Sequence, residues 1–220
     1  MPHLKIDFVS DVSCPWCAIG LASLEQALHR LQGELSADLH FQPFELNPHM
    51  EPGGQDIAEH LTQKYGSTPE EQAQIRERIR QRGAEVGFAF SPDGRGRIYN
   101  TFDAHRLLHW AGQVGLAPQL ALKKALLVAC HRDRANMESP EVLLAAAEQA
   151  GLDRAQASTI LAGQDHADDV HQQEAYYTSG GIRSVPAVII NERHLISGGQ
   201  PPEVFEAALR EIAQKMAQAD

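Results

Sequence analysis

Cys14 and Cys17 stand with two residues between them in Ser13-Cys14-Pro15-Trp16-Cys17, and this pair is the best candidate in the chain for chemistry. Two thiols at that spacing either exchange disulfides or contribute to a metal site. Ahead of them, Leu4, Ile6 and Phe8 alternate with Lys5 and Asp7, the period of a half-buried strand. After them, Leu24, Ala27, Leu28 and Leu31 recur at helical spacing. The pair therefore falls where a strand turns into a helix. Unpaired N–H groups and the positive end of the helix dipole favour an anion there. Cys14 is expected to be the low-pKa thiolate that attacks a disulfide, with Cys17 one turn on as the thiol that resolves the mixed disulfide. Pro15 suits the first helical turn, where its missing N–H costs nothing. Trp16, between the thiols, is placed to touch a substrate.

The third cysteine, Cys130, shares a helical line with Leu122 and Leu126, so it is expected to be a packed core thiol. Structural zinc needs four ligands, and Cys130 has no C-x-x-C partner of its own. His105 and His109 lie four apart on one helix face, but the sequence names no further ligand beside them. No metal is assigned.

The 220 residues carry 19 Lys and Arg against 29 Asp and Glu, a formal charge of −10. Phosphate backbones need a basic surface, so nucleic acid is not an expected partner. No apolar run approaches the roughly 20 residues of a spanning helix, and the opening MPHLKIDFVSD has no signal-peptide pattern. The expected setting is the cytoplasm, without a membrane partner, where a lone dithiol is catalytic or redox-sensing.

Around the thiols the chain reads as strand, helix, strand, with Leu39 and Phe41 in the second strand and Pro43 pushing it towards an end or edge. From about residue 55 to 179 the pattern is mainly helical. Thr68-Pro69 and Ser139-Pro140 are helix starts. Ala104, Leu107, Leu108, Ala111 and Val114 make one apolar stripe, and the arginine-rich segment after Pro69 reads as a solvated face with only Ile75, Ile79 and Val86 inward. Ala187–Ile190 and His194–Ile196 then suggest a hairpin, followed by a helix with Phe205, Leu209, Ile212 and Met216 on one side.

This order, with a Val-Pro before the hairpin, resembles the thioredoxin fold, and the helical insertion resembles that of the DsbA family. Asp11-Val12-Ser13-Cys14-Pro15-Trp16-Cys17-Ala18-Ile19-Gly20, Asn100-Thr101 with Ala104-His105-Arg106, Gly181-Ile182-Arg183-Ser184-Val185-Pro186, and Ser197-Gly198-Gly199-Gln200 are similar to the cytoplasmic FrnE-like branch of that family. The resemblance implies an α/β thioredoxin-like fold whose first half spans residues 1–50 and second half 179–220, with a helical insertion domain at 51–178. It implies a thiol-disulfide oxidoreductase with Cys14 attacking and Cys17 resolving. It also implies that Val185-Pro186 is a cis peptide facing the thiols, where the Val185 backbone can pair with a substrate strand. Asn100 and His105 would line the cleft, and Gln200 joins Pro15, Trp16, Val185 and Pro186 among the substrate-binding residues. The partner would be a protein or small molecule carrying a disulfide or thiol. No cofactor is implied, and glutathione is a candidate co-substrate; the oligomeric state is left open.

Two departures bear on the chemistry. Ala18 stands where members often carry an aromatic residue, and Trp16 stands where periplasmic DsbA enzymes carry a histidine, so a less oxidising potential is expected. An alternative is a glutathione-dependent isomerase or transferase of the 2-hydroxychromene-2-carboxylate isomerase or kappa class, which shares the fold and insertion. Those enzymes typically carry a serine at the first thiol position, and a resolving cysteine has no use in an isomerisation.

Overall fold

The structure is a computed structural model and describes residues 1–219. Strand β1 (His3–Ser10), helix α1 (Pro15–Arg30) and strand β2 (Ser36–Pro43) come first. β1 and β2 run parallel from His3 opposite Ser36 to Ser10 opposite Pro43, the arrangement a helical crossover allows. The next elements are β3 (Gln55–Asp56), α2 (Ile57–Tyr65), α3 (Pro69–Glu85) and β4 (Arg97–Ile98). Helices α4 (Phe102–Val114), α5 (Leu116–His131), α6 (Pro140–Gln149), α7 (Arg154–Ala162) and α8 (Ala167–Ser179) follow. The chain closes with β5 (Ala187–Ile190), β6 (His194–Ser197) and α9 (Pro202–Ala219). The main sheet has the order β2-β1-β5-β6, with β5 antiparallel to both β1 and β6.

Two apolar cores result. One joins Leu4, Ile6 and Phe8 of β1 to Leu24 and Ala27 of α1, Val188 of β5 and Phe205 and Leu209 of α9. The other joins Leu107, Leu122, Leu126, Leu143 and Ile160 from α4 to α7. Val12, two residues before Cys14, belongs to the helical core, whereas Cys14 and Cys17 belong to the sheet core. The seam between the cores thus passes through the turn that carries the thiols.

β2 is an outer strand, and its ladder is closed by a side chain. The Gln119 amide of α5 accepts from the Phe41 N–H at 3.1 Å and donates to the Phe41 carbonyl at 3.2 Å. An unpaired strand edge is thereby covered. Buried Arg106 of α4 donates to the carbonyls of Asp165 at 2.9 Å and Gly163 at 2.8 Å, which holds the α7–α8 link against α4.

Several expectations are sharpened or corrected. Thr68 and Glu71 form a complete capping box on α3. Ser139 is the N-cap of α6 but makes no side-chain cap bond. Val114 is 57% exposed, so the apolar stripe of α4 ends at Ala111, as the last turn runs beyond the core. Ile75 of α3 is also exposed, and buried Gln72 and Gly83 take the inward face. The pairing of Gln55-Asp56 with Arg97-Ile98 is too short for any period in the sequence to announce.

Candidate active site

Cys14 is the N-cap residue of α1, and Pro15 opens the helix behind it. All three cysteines are free thiols, and all are buried. A hydrogen bond from the Cys17 thiol pulls the Cys14 pKa below its ordinary value. Burial and the Asp11 charge oppose that pull, while the N–H groups of Cys17 and Trp16 assist it. Cys17 moves the other way: burial raises it well above the usual thiol value, and the neighbouring Cys14 adds to the rise. One thiol is prepared to ionise and the other to keep its proton. In its neutral form Cys14 donates to the Val185 carbonyl at 3.5 Å. The Val185-Pro186 peptide is cis.

The turn ahead of Cys14 is tied down from several sides. The Asp11 carboxylate accepts from the Ser13 N–H at 2.9 Å, the Ser13 hydroxyl at 2.9 Å and the Leu46 N–H at 2.7 Å. His131 Nε2 lies 2.9 Å from the Val12 carbonyl, and Arg95 donates to the Ser13 carbonyl at 2.6 Å. Since a carbonyl only accepts, His131 must carry its proton on Nε2.

Asp11 is fully enclosed, and burial alone would raise its pKa. The His105 imidazole and the Leu46 and Ser13 N–H groups hold it well below the usual carboxylate range instead. His105 Nε2 is 3.8 Å from Asp11 Oδ1, too far for a hydrogen bond, and has no other partner among the described residues. Burial also depresses the His105 pKa, which leaves the ring uncharged at neutral pH. The short donors from Ser13 and Leu46 act together with the facing His105 imidazole to keep Asp11 ionised. Below the thiols, Lys123 of α5 is wholly buried and its Nζ has no hydrogen-bond partner among the described residues. Burial lowers its pKa, and the charges that most favour its ammonium are Cys17 and then Asp11.

The predicted residues fall into two groups. Cys14, Cys17, Pro15, Trp16, Val185 and Pro186 meet around the start of α1, and buried His105 sits beneath them at Asp11. Gly199 lets the closing loop reach this turn, since a Cβ there would stand 2.8 Å from the Trp16 carbonyl oxygen. Gln200 and Asn100 have other partners. The Gln200 amide donates to the Ser197 carbonyl within its own loop, at 2.8 Å. Asn100 Oδ1 accepts from the Phe102 N–H at 2.8 Å and so caps the start of α4. His109, four residues on from His105, is half-buried against α8 because α8 packs along that side of α4.

Sequence reading missed Asp11, Lys123, Arg95 and His131 as site residues, and no local period singles them out. It also missed that the arginine face of α3 reaches the site. Arg78 lies over the Trp16 ring, 5.8 Å from its centroid, within cation–π range. Exposed Tyr65, at the end of α2, has a phenol pKa raised by partial burial and then by the nearby Cys14 charge.

Comparison with known proteins agrees with this architecture. A probable DsbA oxidoreductase from Streptomyces coelicolor superposes with a TM-score of 0.84 at 30% identity, covering 95% of this chain and 89% of its own. A 2-hydroxychromene-2-carboxylate isomerase shares the fold at TM-score 0.71 and 14% identity, over 98% of this chain and 99% of that one. The cytosolic disulfide reductase DsbM from Pseudomonas aeruginosa, in a structure with GSH, shares it at TM-score 0.64 and 17% identity, over 96% and 99%. Residues 5–210 match the DSBA-like thioredoxin domain, and on a match of that extent this chain belongs to the DsbA-like family of thioredoxin-fold proteins.

Proposed function

We propose that this protein is a thiol-disulfide oxidoreductase working through Cys14 and Cys17. The observation that carries this reading is the opposite displacement of the two thiols, with Cys14 drawn down by the Cys17 hydrogen bond and Cys17 pushed up by burial. The Cys14 thiolate attacks one sulfur of a substrate disulfide, and the other sulfur leaves as a thiolate. Cys17 then loses its proton and attacks Cys14 Sγ. The second substrate sulfur leaves, so the substrate gains two electrons and the protein holds a Cys14–Cys17 disulfide. The reverse sequence oxidises a dithiol. Lys123 assists the Cys17 step, because its charge favours the Cys17 thiolate.

The Val185 carbonyl, which the neutral Cys14 thiol occupies, becomes free for a substrate N–H once Cys14 ionises or enters a mixed disulfide. Trp16 with Arg78 over its ring, and Tyr65 within the field of Cys14, are the side chains proposed to meet the substrate there. The substrate is a protein or small molecule with an accessible disulfide or thiol, glutathione among them. The protein acts in the cytoplasm, where a lone catalytic dithiol is maintained by the glutathione pool. Among the described residues no helix is long and apolar enough to cross a membrane.

The test is equilibration with glutathione redox buffers together with a Cys17→Ser trap. A Cys14–Cys17 disulfide that forms reversibly, catalysis of insulin reduction by dithiothreitol, and trapped mixed disulfides through Cys14 are expected. Failure of all three, with turnover of a 2-hydroxychromene substrate in the presence of glutathione, would establish the isomerase reading instead.

A further inference from the structure

Among the described residues, one cluster of ligand-type side chains lies outside the thiol site and takes no part in the exchange chemistry. His109 of α4 faces His166, the N-cap residue of α8, and Asp169 in the first turn of α8. We propose that these three residues bind a single divalent transition-metal ion of the zinc class.

The geometry fits such an ion. One ligand atom from each side chain lies within 4.8 Å of the other two. His166 Nδ1 is 3.2 Å from Asp169 Oδ2, and His109 Nε2 is 3.5 Å from the same oxygen. Zinc binds imidazole nitrogen and carboxylate oxygen at about 2.0–2.2 Å, which sets neighbouring ligand atoms of a tetrahedral site about 3.3–3.6 Å apart. The 3.5 Å separation lies inside that range and the 3.2 Å one just below it, so an ion enters with shifts of a few tenths of an ångström. Two imidazoles with one carboxylate suit zinc and its neighbours, whereas calcium and magnesium prefer all-oxygen sites. Three protein ligands leave a fourth position for water.

The surroundings prepare the donors. Gln173 Oε1 lies 3.4 Å from His109 Nδ1, placed to accept its proton and leave the Nε2 lone pair facing the cluster. The Gln113 amide lies 3.1 Å from Nε2 and donates to that lone pair; this exposed side chain turns outward when an ion takes its place. The two imidazole rings stand 5.1 Å apart. Both histidines are half-buried while Asp169 is exposed, so an ion can reach the site from solvent. Arg106, through its bonds to the α7–α8 link, fixes the segment that presents His166. Sequence alone could not name the set, because His109 has its partners on a helix more than fifty residues away. A bound ion would clamp α8 to α4, the helix that carries His105.

The test uses tag-free protein with the Cys14→Ser/Cys17→Ser double substitution, so that zinc cannot bind the dithiol and the outcome does not depend on the redox reading. Calorimetric titration with zinc chloride is expected to show one equivalent per chain, and the Tm is expected to rise when zinc is added. Asp169→Asn and His166→Asn should each weaken binding by more than about tenfold, and Gln173→Ala by about tenfold, the range seen for groups that orient a ligand. Asn tolerates the left-handed backbone of His166, whose φ is 64°. Each variant is first compared with its parent by circular dichroism without zinc. Should His166→Asn not fold, Asp169→Asn, an exposed and nearly isosteric change, decides alone. Absence of zinc binding up to millimolar concentration, or binding that Asp169→Asn leaves unchanged, would overturn the proposal.

Discussion

Cys14 and Cys130 are buried to the same degree, each 4% exposed, yet one thiol is shifted towards its anion and the other away from it. Cys130 lies on the inner face of α5, and burial raises its pKa although Arg95 Nη1 is 3.8 Å away. One guanidinium at that distance does not offset the loss of water around a thiolate. Cys14 loses as much water, but it receives a thiol donor from Cys17 and faces the N–H groups of Cys17 and Trp16 in the first turn of α1. Inside α5 the corresponding N–H groups are spent on the helix itself. The contrast assigns reactivity to donors at a helix start and not to exposure.

The strongest way to break this comparison is to exchange the roles. Cys14→Ser should abolish disulfide exchange by at least about a thousandfold, the scale on which loss of a covalent nucleophile acts. Cys130→Ala should leave the rate within about twofold and cost about 1–2 kcal/mol of stability as a small cavity. Limited alkylation at neutral pH, read by peptide mass spectrometry, should label Cys14 first and Cys130 only after unfolding. Equal labelling of Cys130 in the folded protein would remove the distinction.

Asp11 sharpens the comparison from beneath. Asp11→Asn removes a charge that opposes the Cys14 thiolate, so the Cys14 pKa should fall further, as followed by ultraviolet thiolate absorbance against pH. The same change weakens charge-assisted bonds to Ser13 and Leu46 and should cost about 1.5–3 kcal/mol in urea unfolding. A variant with full stability, or a raised Cys14 pKa, would mean that Asp11 does not hold this turn.

What the sequence disclosed and what it hid divide along the same line. The strand before Cys14, the helix after it, the Thr68 cap and the hairpin after Pro186 are patterns spanning a few residues, and each is visible as alternation, spacing or a capping residue. The groups that hold the thiol turn come from far along the chain. Leu46, Arg95 and His131 bond Asp11, Ser13 and Val12 across separations of 35, 82 and 119 residues. No local period encodes such pairings. Arg78 illustrates the limit: on α3 it looks like one more solvated charge, and only the packing of α3 near α1 brings it over Trp16.

Lys123 separates the two active-site thiols from each other. Its charge favours the Cys17 thiolate, so Lys123→Met should raise the Cys17 pKa still further and slow resolution by about tenfold. The first attack depends on Cys14 and should change much less. Rapid-quench alkylation would then show the mixed disulfide accumulating. Equal slowing of both steps would place the effect of Lys123 on the turn as a whole.

The smallest expected effect concerns stability against pH. Burial raises the Glu45 carboxyl to about 8, helped by the charges of Glu174 and Asp11, and burial raises Glu174 to about 7. Both groups keep protons in the folded chain that the unfolded chain releases from about pH 4.5 upward. The native state binds more protons across that window, so these carboxyls make stability fall as pH rises towards about 8. Buried His105 and His131 act in the opposite sense. Their pKa values are lowered, so the unfolded chain takes up protons below about pH 6.5 and stability is lost on acidification. Above that pH the histidine contribution is gone. Glu45→Gln removes one proton release and relieves Glu174 of a neighbouring negative charge. Between about pH 6.5 and 8.5 its stability should therefore fall less than that of the parent, by about 0.5–1 kcal/mol after allowance for partial exposure. Parallel thermal unfolding curves for the two proteins across that range would show that Glu45 is already ionised in the fold.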